Sequence, residues 1–399
     1  MQASNVASSQ PAAAAAPSDV LRGRDMLCFG HDWSGDPLSK THLMRVLARD
    51  NRILWINSIG YRAPVASKRD FSRAINKLKA ATEPVKEVER NIFVLNPLVV
   101  PVYNIPWMRE VNRQLLRLQV YRAMRKLGFS RPINWVFTPT AAVVAGSLGE
   151  EFVAYYCVDE FTAFTGIPPQ LVQMEEDLCR RADLVIVSAD RLFKSKSDKN
   201  PHTVLIRHGV EFQTFRKALD PATKIPDEIA NLPKPVIGYF GLMAADWIDI
   251  DLMVKVAKHF SGGSMVLLGK VTTDMSRLTA LPNVHLLGRK PFDTLPAYSK
   301  GFDVAINPFP ISEVTLNANP LKVREYLAAG LPVVSTKIPE VEVLGLCRIG
   351  ETPEQFIHEI EEALKDPGPT AARSETMRNE SWEGRVEELR RHVAALGRR

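Results

Sequence analysis

Short apolar runs alternate along the chain with segments of helical period. In the first half the runs read DMLCFGH, RILWINS, NIFVLNP, PINWVFTP, FVAYYCVD, DLVIVS and TVLIRHG, with segments such as 39–49 and 170–181 between them. After a polar, proline-containing connection at 211–235, the alternation resumes with PVIGYFG, SMVLLG, NVHLLG, FDVAINPF and LPVVST. Strands that alternate with helices form parallel, doubly wound sheets. The pattern therefore predicts an α/β protein of two Rossmann-like domains that face each other across a cleft.

The same pattern sets the expected domain limits. We expect a disordered tail at 1–22, an N-terminal domain at 23–230, a C-terminal domain at 231–375 and a terminal helix at 376–399. Apolar residues recur at helical spacing in this last segment: Trp382, Val386, Leu389, Val393 and Leu396. The terminal helix either crosses back onto the first domain or packs on its own domain, and the sequence leaves both arrangements open.

Composition agrees with a globular protein of two cores. The chain has 399 residues, of which 45% are hydrophobic and 24% are charged. It contains no run of about eighteen apolar residues, which an ordinary membrane-spanning helix needs. Its four cysteines form no CxxC pair, as expected in a reducing compartment. We therefore expect a cytoplasmic protein, either soluble or peripheral on the inner face of the plasma membrane.

The positive charge is concentrated in one part of the first domain. Residues 61–130 hold fourteen Lys or Arg against five Asp or Glu, a local net charge of +9 in a chain whose net charge is +6. Arg109, Arg113 and Arg117 form an outward stripe on a predicted helix, whose apolar stripe should face the core: Met108, Val111, Leu115, Leu118 and Tyr121. A basic amphipathic face suits anionic lipid headgroups. Plain surface charge is the alternative, and no nucleic-acid-binding signature accompanies the stripe.

The stretch NANPLKVREYLAAGLPVVST carries the clearest candidate chemistry. Pro320 can begin a helix, and Gly330 can end it before the next strand. Ligands bind beyond the carboxyl ends of strands in open α/β sheets, where helix N-termini offer N–H groups to phosphate. Lys322 could neutralise a diphosphate there, and Glu325 could accept hydrogen bonds from two ribose hydroxyls. The alternative is a solvated ion pair.

This stretch resembles the donor motif of GT-B glycosyltransferases of the GT4 group, which ends in a similar Glu, apolar pair, Ala, Gly, Pro-Val-Val. Many of those enzymes have a second Glu eight residues earlier, where this chain has Asn317. The chain is also similar to the membrane-associated glucuronosyltransferases of xanthan-type assembly and to teichuronic-acid glycosyltransferases. That similarity covers GHDW, Pro37, His42, YYCVDEFT, RHGVE and Lys322.

The resemblance implies a GT-B fold and an activity. The expected reaction moves a hexose or hexuronic acid from a nucleotide sugar, UDP-linked by analogy, to a lipid-linked glycan in bacterial exopolysaccharide or cell-wall polymer synthesis. The expected partners are therefore the nucleotide sugar, a lipid-linked saccharide and an anionic membrane surface, without nucleic acid. A UDP-sugar epimerase of the same fold and a non-catalytic membrane-surface binding protein are the alternatives.

On the acceptor side, the resemblance implies that Asp159 is the general base. Asp159 ends an apolar strand, so partial desolvation at the cleft edge should raise its pKa, and Glu160 is the fallback. Asp159 could instead cap the following helix. His31, Asp32 and Trp33 follow the first strand and are expected to position the acceptor. His31 could also be the general base itself, or it could have only a structural role and donate a hydrogen bond to a carbonyl group of the loop.

On the donor side, the loop after the strand at 236–240 should present backbone N–H groups to the diphosphate. The expected donor-binding residues are Gly241, Leu242, Met243, Arg289, Phe309, Lys322, Glu325 and Tyr326. No DxD motif or His/Cys cluster indicates a metal site, and the Asp-Ile-Asp at 249–251 is typical of a helix start. We therefore expect transfer without a metal and without a cofactor other than the nucleotide sugar.

Overall fold

The alternating runs form two separate sheets in a computed structural model of the chain, which describes residues 20–60, 83–100, 102–164 and 166–397. Most of the expected tail therefore lies outside the described residues. So does the upstream part of the basic segment, with Lys68, Arg69, Arg73, Lys77 and Lys79.

The first sheet has eight strands in the order β3-β4-β2-β1-β5-β6-β7-β8. The strands are Asp25–Phe29 (β1), Arg52–Ile56 (β2), Lys86–Glu89 (β3), Ile92–Leu95 (β4), Ile133–Val136 (β5), Phe152–Cys157 (β6), Leu184–Val187 (β7) and Thr203–Leu205 (β8). Neighbouring strands are parallel except β3, which runs antiparallel to β4 at the edge. The central strands are buried on both faces, which explains their continuous apolar runs.

Four helices of the first domain are Ser39–Leu47 (α1), Pro106–Leu127 (α2), Pro169–Arg181 (α3) and Asp190–Ser197 (α4). They cover the faces of the sheet, as the doubly wound pattern requires. No helix in the described part of the chain is both long enough and apolar enough to cross a membrane.

The core-facing side of α2 differs from the prediction. Val111 is 39% exposed and Leu118 is 48% exposed, so only part of the predicted apolar stripe faces the core, where Tyr121 packs. Its buried residues are Asn112, Leu116, Val120, Ala123 and Met124. The side-chain amide of Asn112 accepts from the N–H of Val100 and donates to its carbonyl at 2.9 and 2.6 Å. The prediction is wrong for Val111 and Leu118, because this helix turns Asn112 inward, where its amide hydrogen-bonds the backbone of Val100.

The second sheet has six parallel strands in the order β11-β10-β9-β12-β13-β14. The strands are Val236–Phe240 (β9), Ser264–Leu268 (β10), Val284–Gly288 (β11), Val304–Asn307 (β12), Val333–Thr336 (β13) and Arg348–Gly350 (β14). Its helices are Phe212–Phe215 (α5), Asp227–Ala230 (α6), Ile250–His259 (α7), Ser276–Thr279 (α8), Leu295–Gly301 (α9), Glu313–Leu316 (α10), Leu321–Ala328 (α11), Pro339–Leu344 (α12), Pro353–Ala363 (α13) and Ala371–Glu375 (α14). Asp249 caps α7 with its side chain, so the Asp-Ile-Asp sequence does begin a helix.

The change from one core to the other falls earlier in the chain than residue 230. Val210, Phe212 and Phe215 pack in the core of the second domain. The ring of Phe215 stacks on that of Phe240, with centroids 6.0 Å apart. The sequence does not reveal this packing, because the two short helical turns that hold these aromatic residues show little helical periodicity.

The last helix, Trp382–Ala395 (α15), packs against the first domain. Trp382, Val386, Leu389 and Val393 share a core with the strands of the first sheet and with α1. Arg390 forms an ion pair with Asp50 at 3.0 Å at the same contact. The chain therefore crosses between the domains twice, once after β8 and once before α15.

Candidate active site in the interdomain cleft

The carboxyl ends of the two sheets face each other across a cavity of about 550 Å³. The first domain contributes His31, residues 36–40 and the Val158–Asp159 pair after β6. The second domain contributes the loops after β9, β10 and β11 and the start of α11. A cleft lined by both domains is a common place for ligands in such folds, and it can hold two substrates at once.

Lys322 and Glu325 lie in the first turns of α11 on the wall of the second domain. The Lys322 ammonium donates to the hydroxyl of Tyr239 at 2.7 Å and lies 4.9 Å from the ring centroid of Phe309. Burial lowers the pKa of Lys322 to about 7 and raises that of Glu325 to about 8, each opposed by the charge of the other. The two side chains are therefore not a solvated surface pair, and an anion beside Lys322 would restore its proton.

Two glycine loops allow the backbone to approach Lys322. Gly241 and Gly269 have φ angles of +139° and +141°, which residues with a side chain rarely adopt. A Cβ atom added to Gly241 would lie 2.7 Å from Lys322 Nζ, and one added to Gly269 would lie 1.9 Å from the carbonyl oxygen of Gly241. The sequence indicated the first glycine but not the second.

The loop after β9 uses its amides differently from the prediction. The N–H groups of Gly241 and Met243 donate to the carbonyls of Leu268 and Lys270 at 2.9 and 2.8 Å. Met243 is buried in the core, whereas Gly241 and Leu242 line the cavity. Of the three predicted loop residues, Met243 therefore packs in the core beneath the loop and does not line the cavity.

Asp159 lies on the opposite wall, two residues after the end of β6. Burial raises its pKa, and the positive charge of Lys40 opposes this shift. Asp159 does not occupy the N-cap position of the next helical turn. That position is held by Glu160, whose side chain makes no capping hydrogen bond. Asp159 is thus a carboxyl group at the cavity wall whose pKa is shifted towards the range of a general base.

Glu160, the fallback base, does not line the cavity. Its carboxylate accepts hydrogen bonds from Lys196 at 3.1 and 3.2 Å, and from Thr162 and Ser195. Although burial raises the pKa of Glu160, the charge of Lys196 and these hydrogen bonds outweigh that effect and lower it. Lys196 is buried and also pairs with Glu175 at 3.2 Å. Glu160 therefore belongs to a structural ion cluster behind the cavity.

Only one of the three predicted acceptor residues reaches the cavity. His31 lines it, and its Nε2 lies 3.2 Å from the carbonyl of Asp36. Burial and the charge of Lys40 lower the pKa of His31 to about 4, so the imidazole is neutral near pH 7. Asp32 accepts from the N–H of Ser58, and Trp33 packs edge-on against Trp55 outside the cavity wall.

The remaining predicted donor residues divide between cavity and core. Arg289 lines the cavity and crosses the cleft to Asp36, with a nitrogen–oxygen distance of 2.6 Å. Phe309 also lines it. Tyr326 does not, because its buried hydroxyl accepts from the N–H of Phe240 at 2.8 Å. Asn317 is turned towards the carbonyl of Glu313, so it does not replace the missing glutamate in the cavity.

Several polar residues that were not among the predicted site residues also line the cavity, and Lys40 and His208 are two of them. Lys40 lies in the first turn of α1, and burial lowers its pKa while Asp159 opposes the shift. His208 lies in the connection after β8, within the RHGVE sequence. Within the described ranges, no group of three or more His, Cys, Asp or Glu side chains is placed to share a metal ion.

The second domain matches a known family. Residues 234–366 match the family described as Glycosyl transferases group 1. This segment is a glycosyl transferase group 1 domain. The group 1 domain contains the glycine loops at Gly241 and Gly269 and helix α11 with Lys322 and Glu325, so the match covers one wall of the cavity.

The chain is also similar to a curated protein that is named as a glycosyltransferase. The chain is 27% identical over 208 residues to the putative teichuronic acid biosynthesis glycosyltransferase TuaH of Bacillus subtilis (strain 168), and the alignment covers 48% of this chain and 51% of that protein. The match thus spans about half the length of this curated relative.

Two solved structures cover nearly the whole chain. Sucrose-phosphate synthase from Thermosynechococcus elongatus aligns with a TM-score of 0.68 and 15% identity, covering 93% of this chain and 99% of that one. A UDP-forming α,α-trehalose-phosphate synthase from Burkholderia xenovorans aligns with a TM-score of 0.63 and 12% identity, covering 94% and 100%. These likenesses confirm the predicted GT-B fold.

Proposed function

We propose that the chain is a glycosyltransferase that moves a hexose or hexuronic acid from a nucleotide sugar to the hydroxyl group of a lipid-linked glycan. The observation that carries this proposal is the pairing of two walls across one cavity. Lys322 and Glu325 belong to the group 1 domain, and Asp159 faces them from the first domain. The resemblance and the name of the teichuronic acid relative support a place in cell-wall polymer or exopolysaccharide synthesis.

The donor half follows from charge and position. A diphosphate next to the Gly241 loop would meet the ammonium group of Lys322, whose pKa burial has lowered to about 7. Glu325, one turn further along α11, would accept hydrogen bonds from ribose hydroxyls. A UDP-linked donor is consistent with the structural neighbour that is named as UDP-forming.

The chemistry requires a base on one side and charge neutralisation on the other. Asp159 takes the proton of the acceptor hydroxyl, whose oxygen forms a bond to the anomeric carbon. The bond from that carbon to the diphosphate oxygen breaks, its electron pair stays on the diphosphate, and Lys322 stabilises the departing charge. Attack from the side of Asp159 inverts the anomeric configuration; if the configuration is retained, Asp159 only positions the acceptor.

A membrane surface would bring the lipid-linked acceptor to the cleft, with the protein on the cytoplasmic side. One face of α2 presents Trp107, Val111 and Leu118, which are 64%, 39% and 48% exposed. The exposed Arg122 and Arg125 continue this face at spacings of four and seven residues from Leu118. Apolar side chains followed by cations suit the boundary between acyl chains and anionic headgroups.

The membrane surface has its own test. Co-sedimentation with vesicles that contain phosphatidylglycerol should weaken in Trp107→Ser and with rising salt, because both apolar and ionic contacts are lost. Val343→Ser, which removes a side chain that is 57% exposed on the other domain, should bind like wild type. Equal binding of the Trp107 and Val343 variants would contradict the assignment of this face.

The test of the activity begins with binding of UDP-, GDP- and dTDP-sugars, read as thermal stabilisation. The sugar that binds is then incubated with a lipid-linked saccharide, and the product is analysed by NMR at the anomeric carbon. Transfer to the acceptor supports the proposal. An altered sugar without acceptor would indicate an epimerase, and no binding of any nucleotide sugar would indicate a non-catalytic protein.

A further inference from the structure

Two buried imidazoles flank Trp382 between the domains. The rings of His42 and His208 each lie with their centroids 5.9 Å from that of Trp382. His42 is 1% exposed and does not line the cavity, whereas His208 is 6% exposed and does. The two residues therefore form a natural pair of test and control positions.

The contacts of His208 fix which ring nitrogen carries the proton. Its Nδ1 lies 2.9 Å from the carbonyl oxygen of Asn319, and a carbonyl can only accept, so Nδ1 is the donor. Burial lowers the pKa of His208 to about 3, and the positive charge of Arg324 lowers it further, while the bond to Asn319 opposes the shift. Arg385 and His42 act in the same direction as Arg324. The imidazole is therefore neutral, and its Nε2 carries a lone pair.

This Nε2 is buried and has no hydrogen-bond partner among the described protein groups. A lone pair in this position is satisfied only by a group that donates a hydrogen. Ionised phosphate and carboxylate oxygens have none to donate, whereas every sugar hydroxyl does. The chemistry of Nε2 thus distinguishes this part of the cavity from the region of Lys322, which suits an anion.

We propose that Nε2 of His208 accepts a hydrogen bond from a hydroxyl group of the nucleotide sugar, on either the ribose or the transferred sugar. The inference rests on the proposed function and adds a residue that recognises the substrate. Asn319, which holds the other nitrogen, immediately precedes Pro320 and α11, and lines the same cavity. Hydroxyl recognition therefore depends on contact between the connection after β8 and the group 1 domain.

The variant His208→Asn tests this atom selectively. An asparagine amide can occupy the place of Nδ1 and keep the bond to Asn319, but it has no atom at the position of Nε2. His42→Asn is the matched control, because its Nδ1 bonds Glu211 at 3.0 Å and its Nε2 does not line the cavity. Calorimetric titration with UDP-glucose and UDP-glucuronic acid should show about 3- to 10-fold weaker binding in His208→Asn, and wild-type affinity in His42→Asn.

Deoxy analogues and UDP identify the hydroxyl. If the hydroxyl that donates to Nε2 belongs to the ribose, His208→Asn should also bind UDP more weakly, by the same factor. If it belongs to the transferred sugar, the affinity for UDP should be unchanged. A deoxy analogue that lacks the recognised hydroxyl should bind wild type more weakly than the parent nucleotide sugar does. His208→Asn should bind both ligands equally well, because the substitution and the missing hydroxyl delete the same contact. The proposal would be overturned if, for every deoxy analogue, the loss of affinity from the missing hydroxyl simply adds to the loss from His208→Asn.

Two results distinguish a failure of the proposed function from a failure of the role of His208. If wild type binds no UDP-, GDP- or dTDP-sugar, the proposed function fails and this inference fails with it. If wild type binds and His208→Asn binds equally well, only the inference fails. Nitrogen NMR of the unsubstituted protein should show a neutral His208 with the proton on Nδ1 at pH 7, and a proton on Nε2 would contradict the proposal even if the variant does not fold.

Discussion

Replacing Lys322 with Met removes one positive charge beside the proposed diphosphate position and keeps an unbranched side chain. A hydrogen bond to a charged group contributes about 1.5–3 kcal/mol, so the dissociation constant of a UDP-sugar should rise about 10- to 150-fold. The folded protein itself should not suffer, because burial of this ammonium group is unfavourable, as its pKa of about 7 indicates. The variant should therefore unfold at or above the wild-type temperature without donor.

Ligand-dependent unfolding measures this change directly. At a donor concentration 100 times the wild-type dissociation constant, wild type gains about 2.7 kcal/mol of stability. A 10-fold weaker variant gains only about 1.4 kcal/mol at the same concentration. Lys258→Met, an exposed lysine near the end of α7, is the control and should match wild type. Wild-type affinity in Lys322→Met would refute the assignment of the diphosphate to this wall.

Two further predictions concern the same wall. Affinity for a UDP-sugar should weaken between about pH 7 and pH 9 in wild type but not in Lys322→Met. The reason is that Lys322 of the unliganded protein, whose pKa is about 7, loses its charge as the pH rises. The same pH dependence of affinity in both proteins would contradict this. Gly269→Ala should lower the unfolding temperature and abolish donor binding, since the added methyl group would lie 1.9 Å from the carbonyl oxygen of Gly241. Gly262→Ala, whose Cβ would meet no atom within 4 Å, should be nearly neutral, and equal melting of the two variants would count against the loop geometry.

The fold was predictable because its signals are local. Each central strand is a short apolar run, the longer helices show a helical period, and the group 1 domain keeps Lys322 and Glu325 in one contiguous stretch. Pairing order, by contrast, depends on distant segments, so the antiparallel edge strand β3 was not foreseen. The contact of α15 with the first domain was one of two open alternatives for the same reason.

Neighbours in sequence often point to different places, and this limited the site prediction. Asp32 and Trp33 follow His31 directly, yet only His31 lines the cavity, because the other two bond or pack behind it. Tyr326 is one helical position beyond Glu325 and is turned into the core. A sequence shows which side chains can do chemistry, but their direction is set by the surrounding fold.

Other site features arise only from contacts across the chain. Burial keeps His208 neutral, and its lone pair lies on Nε2 because Asn319, more than one hundred residues later, holds its other nitrogen. Lys40 faces Asp159 only once α1 and β6 are placed beside the same cavity. Glu160 is excluded as a base by Lys196, which belongs to α4.

In the proposed reaction, Asp159 acts on the acceptor across the cavity from the donor site. The most direct test measures transfer rate and donor affinity together in Asp159→Asn, with the exposed Asp198→Asn as control. We predict that kcat falls by about 10²- to 10⁴-fold in Asp159→Asn while the dissociation constant of the nucleotide sugar stays within about 2-fold of wild type. A transfer rate close to that of Asp198→Asn would contradict a role of Asp159 as the general base.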